Sequence, residues 1–79
     1  MLVHAKLFAT LARHLPGTRP GATIEVDLPE GATVADLLAR LHVPLEEARM
    51  FFVNGRVRPA EWVLQAGDEV AVFPPIGGG

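Results

Sequence analysis

Cysteine is absent from the chain, which excludes disulfides, a thiol nucleophile and metal sites with cysteine ligands. A chain without disulfides is compatible with a reducing cytoplasm, where we expect this protein to act. Long apolar runs are also missing. No segment approaches the roughly 20 residues of a membrane span, and no signal-peptide pattern is present, so we expect no membrane partner. The formal net charge is −2 without a basic stripe, which argues against nucleic-acid binding.

The feature that stands out is the C terminus, where Gly77, Gly78 and Gly79 follow the segment 73–76 (Phe-Pro-Pro-Ile). Glycine loses the most conformational entropy on ordering, so we expect a flexible tail unless a partner holds it. The two prolines favour an extended stem. Residues 74–79 reach at most about 20 Å when extended. The tail alone fits both a frayed terminus and a thread for a partner's channel.

Hydrophobic periodicity predicts a small α+β domain. Thr33 has the position of a helix N-cap, with Asp36 three residues later, and Asn54-Gly55 is a strong hairpin signal. Predicted strands cover residues 2–8, 23–28, 50–53, a short stretch at 57 and residues 69–73; predicted helical segments cover residues 9–15, 34–41 and 44–48. This order indicates a β-grasp, or ubiquitin-like, fold: a mixed sheet of about five strands with one main helix packed across it.

Several segments carry a resemblance to a known family. They are Phe8-Ala9, residues 33–38 (Thr-Val-Ala-Asp-Leu-Leu), residues 53–55 (Val-Asn-Gly), and residues 64–70 (Leu-Gln-Ala-Gly-Asp-Glu-Val) running on to 73–78 (Phe-Pro-Pro-Ile-Gly-Gly). Over essentially its whole length the chain resembles the ubiquitin-like sulfur carriers of the MoaD/ThiS family, most closely the small subunit of molybdopterin synthase. The C-terminal third is the specific part of this resemblance, whereas the first half is generic for the fold.

The resemblance implies a division into a β-grasp domain, residues 1–73, and a flexible glycine tail, residues 74–79. It implies that an ATP-dependent activating enzyme adenylates the C-terminal carboxylate and that sulfur then displaces AMP to give a thiocarboxylate. The large subunit of molybdopterin synthase would receive the sulfur, while this chain binds no cofactor and acts as a non-catalytic donor. Family members typically end in two glycines, so the reacting residue here is Gly79, or Gly78 after trimming.

An apolar patch is the second implied feature. Phe8 and Phe73 lie on strand faces opposite the expected core residues, and Phe52 and Val57 are candidates for the same surface. Scattered surface hydrophobes are the ordinary alternative, but the resemblance matches Phe8, Val57 and Phe73 to partner contacts. The predicted partner-binding residues are Phe8, Val57, Phe73, Pro74, Pro75, Ile76 and Gly77.

Other functions remain open on the sequence. The same tail would serve a sulfur carrier for thiamine, cysteine or tRNA thiolation, or a ubiquitin-like modifier that forms isopeptide bonds with lysines. A plain interaction domain is the third class. The three histidines lack metal-ligand spacing, so we expect no metal site. Trp62 either packs against the domain or lies in an interface.

Overall fold

The computed structural model of the chain describes residues 1–14, 17 and 19–75. Five strands and one α-helix form the domain, together with two short 3₁₀ helices. The strands are β1 (Leu2–Leu7), β2 (Thr23–Asp27), β3 (Met50–Val53), β4 (Arg56–Val57) and β5 (Glu69–Phe73); the helix is α1 (Val34–Arg40), and the 3₁₀ helices are Ala9–His14 and Leu45–Glu47. Among these described residues, no helix is long and apolar enough to cross a membrane.

The strands form one mixed sheet in the order β2-β1-β5-β3-β4. The N-terminal strand β1 pairs antiparallel with β2 and parallel with β5, which therefore lies at the centre of the sheet. Strand β3 pairs antiparallel with β5 on one side and with β4 on the other. The parallel pair of β1 and β5 places the ends of both strands, at residues 7–8 and 72–73, at the same edge of the sheet.

The hydrophobic core lies between one face of the sheet and α1. Alternate residues along the strands turn inward, and the helix contributes its apolar stripe to the same layer. The largest fully buried side chains are Leu7, Leu11, Leu37, Leu38, Leu64, Val3, Val34, Val70 and Val72. On the opposite face of the sheet, the side chains of β1 and β5 are half-buried or exposed; we call it the open face.

Helix α1 begins at a complete capping box. The Asp36 amide donates to Thr33 Oγ1 at 3.2 Å, and the Thr33 amide donates to Asp36 Oδ2 at 2.9 Å. The next two amides, of Val34 and Ala35, donate to carbonyls in the segment 60–62. These contacts satisfy the free donors of the first turn and confirm Thr33 as the N-cap.

The predicted fold is confirmed, with small changes at element ends. The bounds of β3 and β5 agree with the prediction, whereas β1 and β2 each end one residue earlier. The segment at 9–14 is a 3₁₀ helix that begins at Ala9 with a positive φ of 54°. Pro44 was predicted as the first residue of the following helical turn; it lies one position before it, in an extended conformation.

Candidate functional site

Three aromatic rings form a cluster on the open face, where the central strand β5 ends. Phe8 and Phe73 are stacked, with ring centroids 4.5 Å apart and planes 5° from parallel. Phe52 meets Phe73 edge-on, at 5.5 Å and 79°. All three side chains are half-buried. The structure therefore brings together Phe8 and Phe73, which were predicted for the patch, and the candidate Phe52.

Strand pairing explains why these rings meet. Leu7 and Val72 are register partners in the parallel pair of β1 and β5, and both are fully buried on the helix side. Phe8 and Phe73 directly follow these two residues, so their side chains lie on the opposite face of the sheet. The alternation seen in the sequence gave the direction of each side chain, and the parallel register places them beside each other.

Backbone hydrogen bonds fix the position of Phe8, and a glycine lies close to its ring. Its amide donates to the Val72 carbonyl at 3.1 Å, and its carbonyl accepts from the Leu11 amide at 3.2 Å. A Cβ atom on Gly21 would lie 3.4 Å from Phe8 Cε1, and Gly21 has a positive φ of 80°. Glycine at this position allows the chain to pass close under the ring without strain.

Val57 lies on the same face, at the outer strand. It is the register partner of Phe52 in the hairpin of β3 and β4, and it is 58% exposed. The connecting turn has Asn54 and Gly55 at φ 52° and 82°, which is the primed geometry that an Asn-Gly pair favours. The predicted patch thus extends from Phe8 and Phe73 through Phe52 to Val57.

A groove of about 380 Å³ lies against the cluster on the open face. Its apolar part is formed by the three phenylalanines, and its polar part by His4, Lys6, Thr23 and Glu69. A surface with aromatic side chains at its centre and polar groups around them is typical of a protein interface.

The tail leaves the domain at this cluster. The Phe73 carbonyl accepts a hydrogen bond from the Arg49 amide at 2.9 Å, which fixes the backbone at the end of β5. Pro74 is half-buried and Pro75 is exposed, so the stem leaves the sheet directly after the stacked ring. The predicted site residues Ile76, Gly77, Gly78 and Gly79 lie outside the described residues.

A second group of contacts, which the sequence did not indicate, fixes the loop before β5. Asp68 Oδ2 accepts from the Gln65 amide at 2.8 Å, and Asp68 Oδ1 accepts from Asn54 Nδ2 at 2.9 Å. Asn54 Oδ1 in turn accepts from the Glu69 amide at 3.0 Å. Asp68 thus connects the loop before β5 with the hairpin turn at Asn54. The available signal was a pair of turn motifs, Asn54-Gly55 and Gly67-Asp68.

Two further contacts lie away from the aromatic cluster. The Arg58 guanidinium lies 4.1 Å from the ring centre of Trp62, which is 38% exposed, so Trp62 packs under a cation without being buried. Glu47 Oε1 accepts from Arg13 Nη2 at 2.9 Å and lies 2.7 Å from His14 Nε2. The hydrogen bond with His14, followed by the charge of Arg13, lowers the pKa of Glu47 below its ordinary value of 4.5.

No group of three or more potential metal-ligating side chains occurs in the part of the chain that the structure describes. The stacked rings and the groove lie where β5 ends, directly before the segment that leads to the three glycines. A five-stranded β-grasp sheet whose central strand runs into a glycine tail defines the class of small ubiquitin-like carriers and modifiers.

The chain belongs to the ThiS family, whose family model matches residues 6–79. A curated relative, small archaeal modifier protein 1 of Haloferax volcanii, is 39% identical over an alignment that covers 94% of this chain and 97% of the relative. A crystal structure of that protein superposes with a TM-score of 0.72 at 32% identity, covering all of both chains.

Two further solved structures share the fold. A Pyrococcus furiosus protein assigned as subunit 1 of molybdopterin converting factor has a TM-score of 0.73 at 28% identity, covering 96% of this chain and 99% of its own. A complex of subunits 1 and 2 of molybdopterin-converting factor from Helicobacter pylori has a TM-score of 0.63 at 17% identity, a likeness of fold alone. These comparisons confirm the predicted fold and family.

Proposed function

We propose that this protein carries sulfur on its C-terminal glycine and donates it in molybdopterin synthesis. The observation that carries the proposal is the aromatic cluster at the root of the tail. Phe73 is both the last residue of the central strand and the ring that stacks on Phe8. A partner that binds this cluster therefore receives the tail in a defined position. Membership of the ThiS family and likeness to the Pyrococcus furiosus subunit support the same function.

The chemistry needs the carboxylate of the last glycine and an enzyme that activates it. A carboxylate is a poor electrophile because oxide is a poor leaving group. Attack of the carboxylate on ATP forms an acyl-adenylate and releases pyrophosphate. Hydrosulfide then attacks the carbonyl carbon, the carbon–oxygen bond to AMP breaks, and the thiocarboxylate forms with loss of a proton. None of the 79 residues is a cysteine, so no side-chain thiol of this chain competes for the acyl group.

The open face is the surface that we propose for both partners. Phe8 and Phe73 form its centre, with Phe52 beside them and Val57 at the outer edge. Aromatic side chains in the middle of an interface commonly contribute most of the binding energy. The two partners are the ATP-dependent activating enzyme and the large subunit of molybdopterin synthase. The Helicobacter pylori fold neighbour is itself in a complex with a second subunit.

A second candidate function is protein modification. The 39% identity to small archaeal modifier protein 1 favours it, because that relative is named for attachment to other proteins. The same acyl-adenylate would then react with a lysine amine in place of hydrosulfide. The two functions share the fold, the tail and the activation step, and differ only in the nucleophile.

Intact-mass analysis tests the proposal. The chain is incubated with an ATP-dependent activating enzyme for carriers of this family, together with ATP and sulfide. We expect a mass increase equal to the difference between sulfur and oxygen, and alkylation that maps to the last residue. Isopeptide adducts alone, without thiocarboxylate, would favour the modifier.

Truncation identifies the reacting glycine. The full chain is compared with chains ending at Gly78 and at Gly77 in thiocarboxylation and in sulfur transfer. We expect full activity for the full chain, because one more glycine adds only about 3.5 Å of extended backbone. The chain ending at Gly77 should fail, since its carboxylate falls short of a partner's active site. Activity restricted to the chain ending at Gly78 would mean that Gly79 is removed before activation.

A further inference from the structure

Lys6 is the single lysine among the 79 residues, and it lies in the groove beside the tail root. Its register partners, Thr23 on β2 and Ala71 on β5, both have short side chains. The Lys6 side chain itself is half-exposed. Within the ranges that the structure describes, Lys6 takes part in none of the ion pairs. The only side-chain amine of the protein is thus accessible on the proposed docking face.

We propose that Lys6 is an acylation site for this protein's own activated C terminus. The inference rests on the C-terminal activation proposed above. The neutral amine of Lys6 attacks the carbonyl carbon of the acyl-adenylate, a carbon–nitrogen bond forms, and the carbon–oxygen bond to AMP breaks. AMP and one proton leave, and no oxidant or reductant is needed. The product is an isopeptide bond, within one chain or between two copies.

The position of Lys6 in the sheet suits a reaction with the tail of the same chain. Lys6 is paired with Ala71, two residues before the end of β5, so the strand geometry separates it from Phe73 by about 7 Å along the sheet and one strand spacing of about 5 Å across it. Six further residues, 74–79, span up to about 20 Å. A reaction within one chain therefore has sufficient length, and a short linker gives an effective concentration in the millimolar range.

The α-amine of Met1 is the competing nucleophile, and the structure disfavours it. This amine donates to the Leu28 carbonyl and forms an ion pair with Asp27 at 3.2 Å. Acylation would have to break both contacts, which Lys6 does not require.

Linkage at Lys6 would prevent the proposed sulfur transfer in two ways. It consumes the carboxylate that sulfur needs, and it places a polypeptide segment across the groove beside Phe8 and Phe73. Conversion to the thiocarboxylate and linkage to Lys6 are thus competing fates of one activated intermediate, and sulfide supply decides between them.

The test uses the full chain with a C-terminal thioester, made by intein cleavage and incubated at mildly alkaline pH without added amines. The thioester bypasses enzymatic adenylation, so its result is independent of the thiocarboxylate experiment. We expect a product in which residues 57–79 are joined to Lys6 within residues 1–13 in a tryptic digest, since acylated Lys6 is not cleaved and the bond between Arg58 and Pro59 resists trypsin. At low protein concentration the product should be a ring, and at high concentration a dimer.

A relocated lysine serves as the matched control. The variant Lys6→Arg combined with Arg40→Lys keeps the total charge and moves the amine to the exposed last residue of α1, on the helix side of the sheet. At micromolar protein we expect the link at Lys6 to form about tenfold or more faster than the link at position 40, because of its higher effective concentration. Equal rates at the two positions, acylation at the Met1 amine, or hydrolysis without any link would each overturn the proposal.

Discussion

Replacing Phe73 by Asp tests the proposed docking surface most directly. The sequence pattern places the Phe73 side chain on the strand face opposite the core, so the change is expected to leave the fold intact. The structure confirms the direction, yet it also shows a half-buried ring that stacks on Phe8 and meets Phe52 edge-on. The substitution must therefore lower the stability of the isolated domain, and the question is by how much.

Each aromatic pair contributes about 0.5–1.5 kcal/mol beyond the area that it buries. Removing a half-buried phenyl ring loses about 1 kcal/mol more in transfer free energy. The expected loss of unfolding free energy is about 2–4 kcal/mol, against a total of about 5–15 kcal/mol for a typical domain. The midpoint of thermal unfolding should fall by about 10–30 °C, and the protein should still be folded at room temperature.

Binding should suffer more than folding. A charged group at the centre of an aromatic interface removes a hot spot and must be desolvated, so we expect a loss of at least about 2 kcal/mol, or about 30-fold in Kd. Titration calorimetry with the large subunit measures it, at a temperature where circular dichroism shows the variant to be folded. Leu45→Asp is the matched control, because Leu45 is 47% exposed outside the cluster. Normal binding by Phe73→Asp, or an equal loss in Leu45→Asp, would refute the assignment of this face.

Two further predictions concern contacts outside the cluster. Asp68→Ala removes the acceptor for the Gln65 amide and for the Asn54 side chain. We expect urea denaturation to show an unfolding free energy lower by about 1 kcal/mol, with the same dependence on urea concentration. An unchanged denaturation midpoint would contradict this. For Glu47, the folded-state pKa lies below 4.5, so its stabilising contribution is complete above about pH 4.5 and is lost as the pH falls through the lowered value. A carboxyl titration by NMR that places the pKa of Glu47 at or above 4.5 would show that the contact with His14 does not persist in solution.

The parts of the fold that the sequence predicted well are those where periodicity and turn residues agree. The bounds of β3 and β5 were predicted because each short apolar run is bordered by a glycine turn, at Gly55 and at Gly67. The start of α1 followed from Thr33 and Asp36, whose side chains need only local backbone partners. Local chemistry of this kind is readable without knowledge of the tertiary structure.

Contacts between distant segments could not be predicted in the same way. Alternation gave the face on which Phe8 lies, but its stacking on Phe73 depends on a parallel register between the first and last strands. Likewise, nothing in the segment 9–14 signals the positive φ of Ala9, because the turn is imposed by the attachment of Phe8 to Val72 at the end of the sheet. The pairing of Glu47 with His14 also joins two segments that only the folded chain brings together.

The position of the aromatic cluster limits the order of events in the proposed sulfur transfer. Phe73 is fixed by two rings and by the Arg49 amide, so the tail begins at a constant place relative to the docking face. Both proposed partners must admit the same six-residue tail, and both must then approach the same rings. A second partner cannot bind while the first covers Phe8 and Phe73. Activation and delivery should therefore alternate by dissociation and rebinding, and a complex of the carrier with both partners at once should not form.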